Sequence, residues 1–111
     1  MSSYSVDLTQ NAASDIREIY AYIRLQLLEP ETAAHQRGRI KKAILGLASL
    51  PKRYALVSDG QLKEQGIRFF PVDNYLIFYV INEQEHKVTV LRVLYPRRDW
   101  LVVLSEDSSE T

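Results

Sequence analysis

The chain has 111 residues, 46% hydrophobic and 25% charged, with fourteen basic and fourteen acidic side chains. That length and balance give one domain with one hydrophobic core and exclude a disordered chain or a run of apolar residues long enough to span a bilayer. No cysteine is present, which excludes a disulfide framework, a thiolate zinc site and a cysteine nucleophile. With no secretory pattern at the first residues, a cytoplasmic setting is expected.

Residues 3–8 alternate Tyr4, Val6 and Leu8 with polar neighbours, the period of a half-buried strand. Thr9 or Asn11 caps a helix. Ala12, Ile16, Ile19, Ile23 and Leu27 then recur at three- and four-residue steps, an amphipathic helix of about five turns. Pro30 suits the first turn of a second helix, and Glu31 lies where the helix dipole favours an acid. Ala33, Ala34, Arg37, Ile40, Ile44 and Leu47 carry the helical period until Pro51 ends it. The two helices make a hairpin, in which Gly38 and Gly46 are candidate close crossings.

Residues 52–66 hold no clear period and are expected to be a loop. Three β runs follow at 67–72, 75–82 and 87–95, joined by tight turns at Asp73-Asn74 and at 83–86. The expected fold class is α+β, a βααβββ chain with a helix hairpin packed on a mainly antiparallel sheet. The domain spans 1–104, and 105–111, "SEDSSET", has the composition of a disordered tail. Because Glu106, Asp107 and Glu110 fall in that tail, the domain is mildly basic, too weakly to argue for nucleic acid.

The runs 67–72 and 75–82 carry apolar residues on both parities: Ile67, Phe69, Leu76 and Phe78 on one, Phe70, Val72, Ile77, Tyr79 and Ile81 on the other. Helices cover only one face. The second is covered either by a partner chain or by this chain's own tail or loop.

No metal constellation, phosphate-binding glycine loop or nucleophile elbow is visible, and no cofactor is expected. What remains is a set of basic and aromatic residues: Lys52, Arg53, Arg68, Arg92, Tyr95, Arg97 and Arg98. Metal-free RNA cleavage needs a base, a cation for the developing phosphorane charge and an acid. Arginines supply the cation, whereas Tyr95, with an ordinary phenol, is a poor base near neutrality. The structural alternative pairs Arg68 or Arg92 with Asp15, Glu18 or Asp99 and makes Trp100 a core anchor. The Arg97-Arg98 pair, exposed at the strand end, reads as a contact surface for phosphate or carboxylate.

The segments "AASDIREIYAYI" (12–23), "GIRFFPVDNYLIFYVI" (66–81) and "VTVLRVLYPRRDW" (88–100) resemble toxins of the RelE/ParE superfamily from bacterial type II toxin-antitoxin pairs. The resemblance implies the same βααβββ architecture and neutralisation by an antitoxin whose C-terminal segment wraps the toxin. It places Ile67, Phe69, Leu76 and Phe78 on an open concave side as antitoxin-binding residues. RelE-like members cut mRNA on the ribosome with lysines and arginines on that side; ParE-like members poison DNA gyrase without a nuclease site. The positions matching those basic residues are here Ile67, Phe69 and Leu76, all apolar, so the chain is closer to ParE. A non-catalytic gyrase inhibitor with Arg97 and Arg98 as target contacts is expected. The alternatives are a metal-independent, ribosome-dependent mRNA endonuclease using Arg92, Tyr95 and Arg97, or a degenerate, non-toxic binding module.

Overall fold

Thr9 ends the first strand and begins the first helix. In the computed structural model, which describes residues 3–96 and 98–109, β1 covers Ser5–Leu8 and α1 covers Gln10–Ala21. The Thr9 hydroxyl oxygen accepts from the Ala12 amide at 3.0 Å and its proton goes to the Leu91 carbonyl at 2.8 Å. One side chain thus caps the helix and ties it to the sheet, and Asn11 is not the cap.

The long first helix expected from periodicity does not stay α-helical. After Ala21 it widens into a π-helical turn, Tyr22–Gln26, closed by the Leu27 amide on the Tyr22 carbonyl at 3.2 Å. Leu28, at φ 55°, reverses the chain, and α2, Pro30–Leu45, starts with its proline where a missing N–H costs nothing. Gly38 makes no close crossing, since a Cβ there would meet nothing within 4 Å.

The loop expected at 52–66 contains α3, Gly60–Glu64, capped by Asp59, whose carboxylate accepts from the Leu62 amide at 3.2 Å. Five residues are too few to display a helical period. Gly66, at φ 79°, turns the chain out of that helix in a conformation glycine adopts without strain. β2 (Arg68–Val72), β3 (Tyr75–Asn82) and β4 (Lys87–Leu94) then complete one sheet in the order β1-β4-β3-β2. β2–β3 and β3–β4 are antiparallel, while β1 lies parallel to β4 with Ser5 opposite Lys87. A bulge between Phe78 and Tyr79 shifts the β3–β4 register, so that Phe78 faces Arg92 and Tyr79 faces Val90.

The sheet has a core on each side. On one, Phe70, Ile77, Tyr79, Val88, Val90 and Val93 pack against Ile16, Ile40, Ile44 and Leu47 of the helix hairpin. On the other, Ile67, Phe78 and Leu94 pack with Val57 and Leu62 and with Leu104 of α4, Trp100–Ser109. The face expected to be open is therefore closed by this chain's own segments. The tail expected from residue 105 is helical through Ser109, because Leu104 is buried and the Asp107 carboxylate accepts from Arg92 and Asn11. No helix among the described residues is long and apolar enough to cross a membrane.

Candidate functional site

Of the residues singled out in the sequence, Arg92 has the most constrained place. It lies at the β4 bulge and donates from Nε and Nη2 to the two oxygens of Asp15 on α1, each at 2.7 Å. Asp15 also accepts from the Val93 amide at 2.9 Å, and Nη1 of Arg92 reaches Asp107 of α4 at 3.4 Å. The two main partners are nearly sealed from water, with side-chain exposures of 11% and 5%. The Asp15 carboxylate holds the guanidinium above its usual value, outweighing the opposite pull of burial. Arg92 is consequently a brace between both helical layers and the sheet, and its charge is already neutralised by two acids.

Arg68 has a comparable task. Its Nη1 donates to the carbonyls of Tyr54 at 2.6 Å and Lys52 at 3.3 Å, binding the 51–56 segment to β2. The pairing with Asp15 foreseen for Arg68 or Arg92 falls to Arg92 alone.

The proposed antitoxin-binding residues share the second face. Ile67 and Phe78 are buried there, and Phe69 and Leu76 are partly buried against the same cluster. Trp100 stacks over Phe69 at 6.5 Å and meets Phe78 at 5.3 Å with the rings tilted, the anchoring position expected of it. Beside them a hollow of about 380 Å³, lined among others by Thr9, Asn11, Ile67, Leu104 and Asp107, contains a carboxylate and, among the described residues, no basic side chain.

Tyr95 and Arg98 fall elsewhere. Both line a cleft on the helix side, Tyr95 about half exposed, its ring meeting that of Tyr75 edge-on at 5.4 Å. The turn that presents them is closed by the Arg98 amide on the Tyr95 carbonyl at 3.0 Å. Arg97 lies outside the described residues. Glu18, Ile19 and Tyr22 also line the cleft; the sequence offered Ile19 only as an apolar helix position and Glu18 only as an arginine partner, and Tyr22 went unnoticed. Glu18 and Ile19 sit on the hairpin helix with no motif around them, and Tyr22 reaches the cleft through the π-turn. Among the described residues no cluster of histidine, aspartate and glutamate is placed to hold a metal.

A helix hairpin packed on a four-stranded β1-β4-β3-β2 sheet is a fold that recurs among solved structures. A chain of the chromosomal ParDE toxin-antitoxin system from P. aeruginosa is similar, with a TM-score of 0.66 at 19% identity over 84% of this chain and 96% of that one. A chain of the RelBE2 toxin-antitoxin complex from Mycobacterium tuberculosis is similar at TM-score 0.60 and 22% identity, covering 86% and 93% of the two chains. A doubly substituted E. coli RelE toxin in the free state superimposes at TM-score 0.62 and 14% identity over 91% and 92%. No curated protein matches the chain in sequence. The chain belongs to the family of ParE toxins of type II toxin-antitoxin systems, whose family model matches residues 6–100.

Proposed function

We propose that this ParE-family toxin acts by binding DNA gyrase and stabilising its cleaved-DNA state, and that it does not cut RNA. The observation that carries this reading is the chemistry of the second sheet face. Ile67, Phe69 and Leu76 are packed into an apolar cluster, and among the described residues the adjoining hollow presents Asp107 and no cation. A developing phosphorane there would meet a carboxylate, which destabilises it. Arg92, one of the residues proposed for the nuclease alternative, is held by Asp15 and Asp107. The ParE family match agrees with this reading; of the residues proposed for the RelE-like alternative, Tyr95 lies on the opposite side and Arg97 outside the described residues.

A cognate antitoxin completes the proposal. The neighbouring toxins named above include members of toxin-antitoxin complexes. The antitoxin segment binds across Ile67, Phe69, Leu76 and Phe78, so α4 moves to admit it. The target side then carries Arg97 and Arg98.

The test sets purified toxin against gyrase supercoiling and cleavage-complex formation, beside a ribosome-programmed mRNA cleavage assay. Trapped cleaved DNA with intact mRNA is the expected result. Unchanged gyrase at high excess, together with cut mRNA, overturns the reading in favour of a nuclease. For the antitoxin face, Leu76→Glu should weaken antitoxin binding more than it lowers the melting temperature; equal losses would make Leu76 a core position and nothing more.

A further inference from the structure

The helix side of the molecule carries a cleft of which the gyrase reading uses only Arg98. It lies between the end of α1, the π-helical turn and the ends of β3 and β4, with a volume of about 290 Å³. Three tyrosines, Tyr22, Tyr75 and Tyr95, line it together with Glu18 and Arg98. Tyr75 is 6% exposed and fixed, whereas Tyr22 and Tyr95 are about half exposed at 53% and 47%. The rings of Tyr75 and Tyr95 meet at 82°, so they form a corner with differently directed walls. Tyr22 is the first residue of the π-turn, a rare irregularity that recurs at functional sites.

Each lining group suits one part of a nucleotide. Tyrosine rings are stacking platforms for a base, because every base has a π-face. Arg98 offers a planar fork of donors to a phosphate. Glu18 is an acceptor with two oxygens when ionised, and among the described residues neither its side chain nor that of Arg98 has a hydrogen-bond or ion-pair partner. Guanine is the base that matches a carboxylate best, since its ring N–H and amino group are adjacent donors on one edge. Adenine and cytosine bring a single amino group to that edge. A purely apolar peptide side chain in the cleft would desolvate Glu18 and Arg98 without pairing either.

We propose that this cleft binds a guanine nucleotide, with the base against the tyrosines, its donor edge on Glu18 and its phosphate on Arg98. The site shares Arg98 with the gyrase reading and is otherwise argued from the cleft alone. The guanine arrives as a free nucleotide or as an unpaired base in a single strand, and both sources present the same groups.

The full-length protein is titrated with GMP, AMP, CMP, guanosine, inorganic phosphate and free tyrosine, following backbone amide signals by NMR. GMP should shift the signals of Tyr22, Tyr75 and Tyr95 saturably and bind about tenfold more tightly than AMP. Glu18→Gln should erase that preference while AMP binding persists, and Arg98→Ala should weaken GMP and leave guanosine unchanged. Both positions are exposed, and circular dichroism confirms that the variants fold. A short single strand with one unpaired guanine that binds more tightly than GMP identifies the strand as the source; weaker binding identifies the free nucleotide. The proposal is overturned if no nucleotide saturates, if inorganic phosphate matches GMP, or if free tyrosine binds in preference. Gyrase activity does not enter this readout, so the failure of one reading is distinguishable from the failure of the other.

Discussion

Arg92 and Asp15 show how one residue pair connects three layers. Their bidentate contact is closed to water, and the Val93 amide depends on the same carboxylate. Removing one partner strands the other charge in a dry site, so Arg92→Ala should cost about 3–5 kcal/mol by urea denaturation, whereas a paired apolar replacement of both residues should recover much of that loss. A loss under about 1 kcal/mol would mean that the pair is hydrated in solution. Tyr79 is a second such residue: its hydroxyl donates to the Pro51 carbonyl at 2.5 Å, and burial pushes its phenol up to about 12. A folded-state value raised above the ordinary phenol means that its contribution is intact below about pH 10 and is lost as pH rises towards 12. Tyr79→Phe should therefore flatten the alkaline limb of the stability curve and cost about 1–3 kcal/mol at neutral pH, since the Pro51 carbonyl loses its donor. That Arg92 would find an acid among Asp15, Glu18 and Asp99 was legible in the sequence, because a cation on a central strand needs a partner. Which acid was not, since it depends on the β4 bulge.

Among the elements, the helix hairpin and the three β runs were readable because periods of 3.6 and 2 persist over many residues. The misses were all short or mixed. α3 has five residues, the π-turn keeps the apolar spacing while changing its hydrogen bonds, and α4 joins the apolar "WLVVL" to a polar end that composition assigns to disorder. α4 holds through Leu104, which is 2% exposed, so Leu104→Ala should lower stability by about 2–5 kcal/mol. Hydrogen exchange should then accelerate at the α4 amides ahead of β3; uniform acceleration would mean that α4 and the sheet unfold as one unit. The β2–β3 turn offers a pH test of its own. Asp73, at φ 55°, accepts two hydrogen bonds from Arg39 and one from Gln36 on α2, and the Arg39 contact holds its carboxyl below the usual range. This contribution is present above the ordinary carboxylate value and fades as pH falls through the lowered one. Asp73→Asn should make the turn's amide signals less sensitive to acid than in the parent; identical acid profiles would show that Asp73 does not anchor the turn.

At the scale of the molecule, the second face is where sequence and structure part most instructively. Apolar residues on both parities correctly signalled two covered faces, yet the pattern was silent on the cover, because a helix from the same chain and a partner's segment demand the same side chains. The tyrosine cleft was illegible for a related reason: its members come from α1, the π-turn, β3 and the β4 end, and no spacing links them. The strand order has one more consequence, for biosynthesis. β4 lies between β1 and β3, so the first strand made has no neighbour until the last one emerges from the ribosome. Nascent chains ending at residue 86 would have β3 without its inner neighbour and Asp15 of α1 without Arg92. Force or protease-protection profiles of stalled chains should therefore show no compact domain until β4 and α4 have cleared the exit tunnel, and folding should follow as a single late event. Translation itself then sets the interval in which this toxin is harmless, and an antitoxin already present meets the chain at the moment it first acquires a surface.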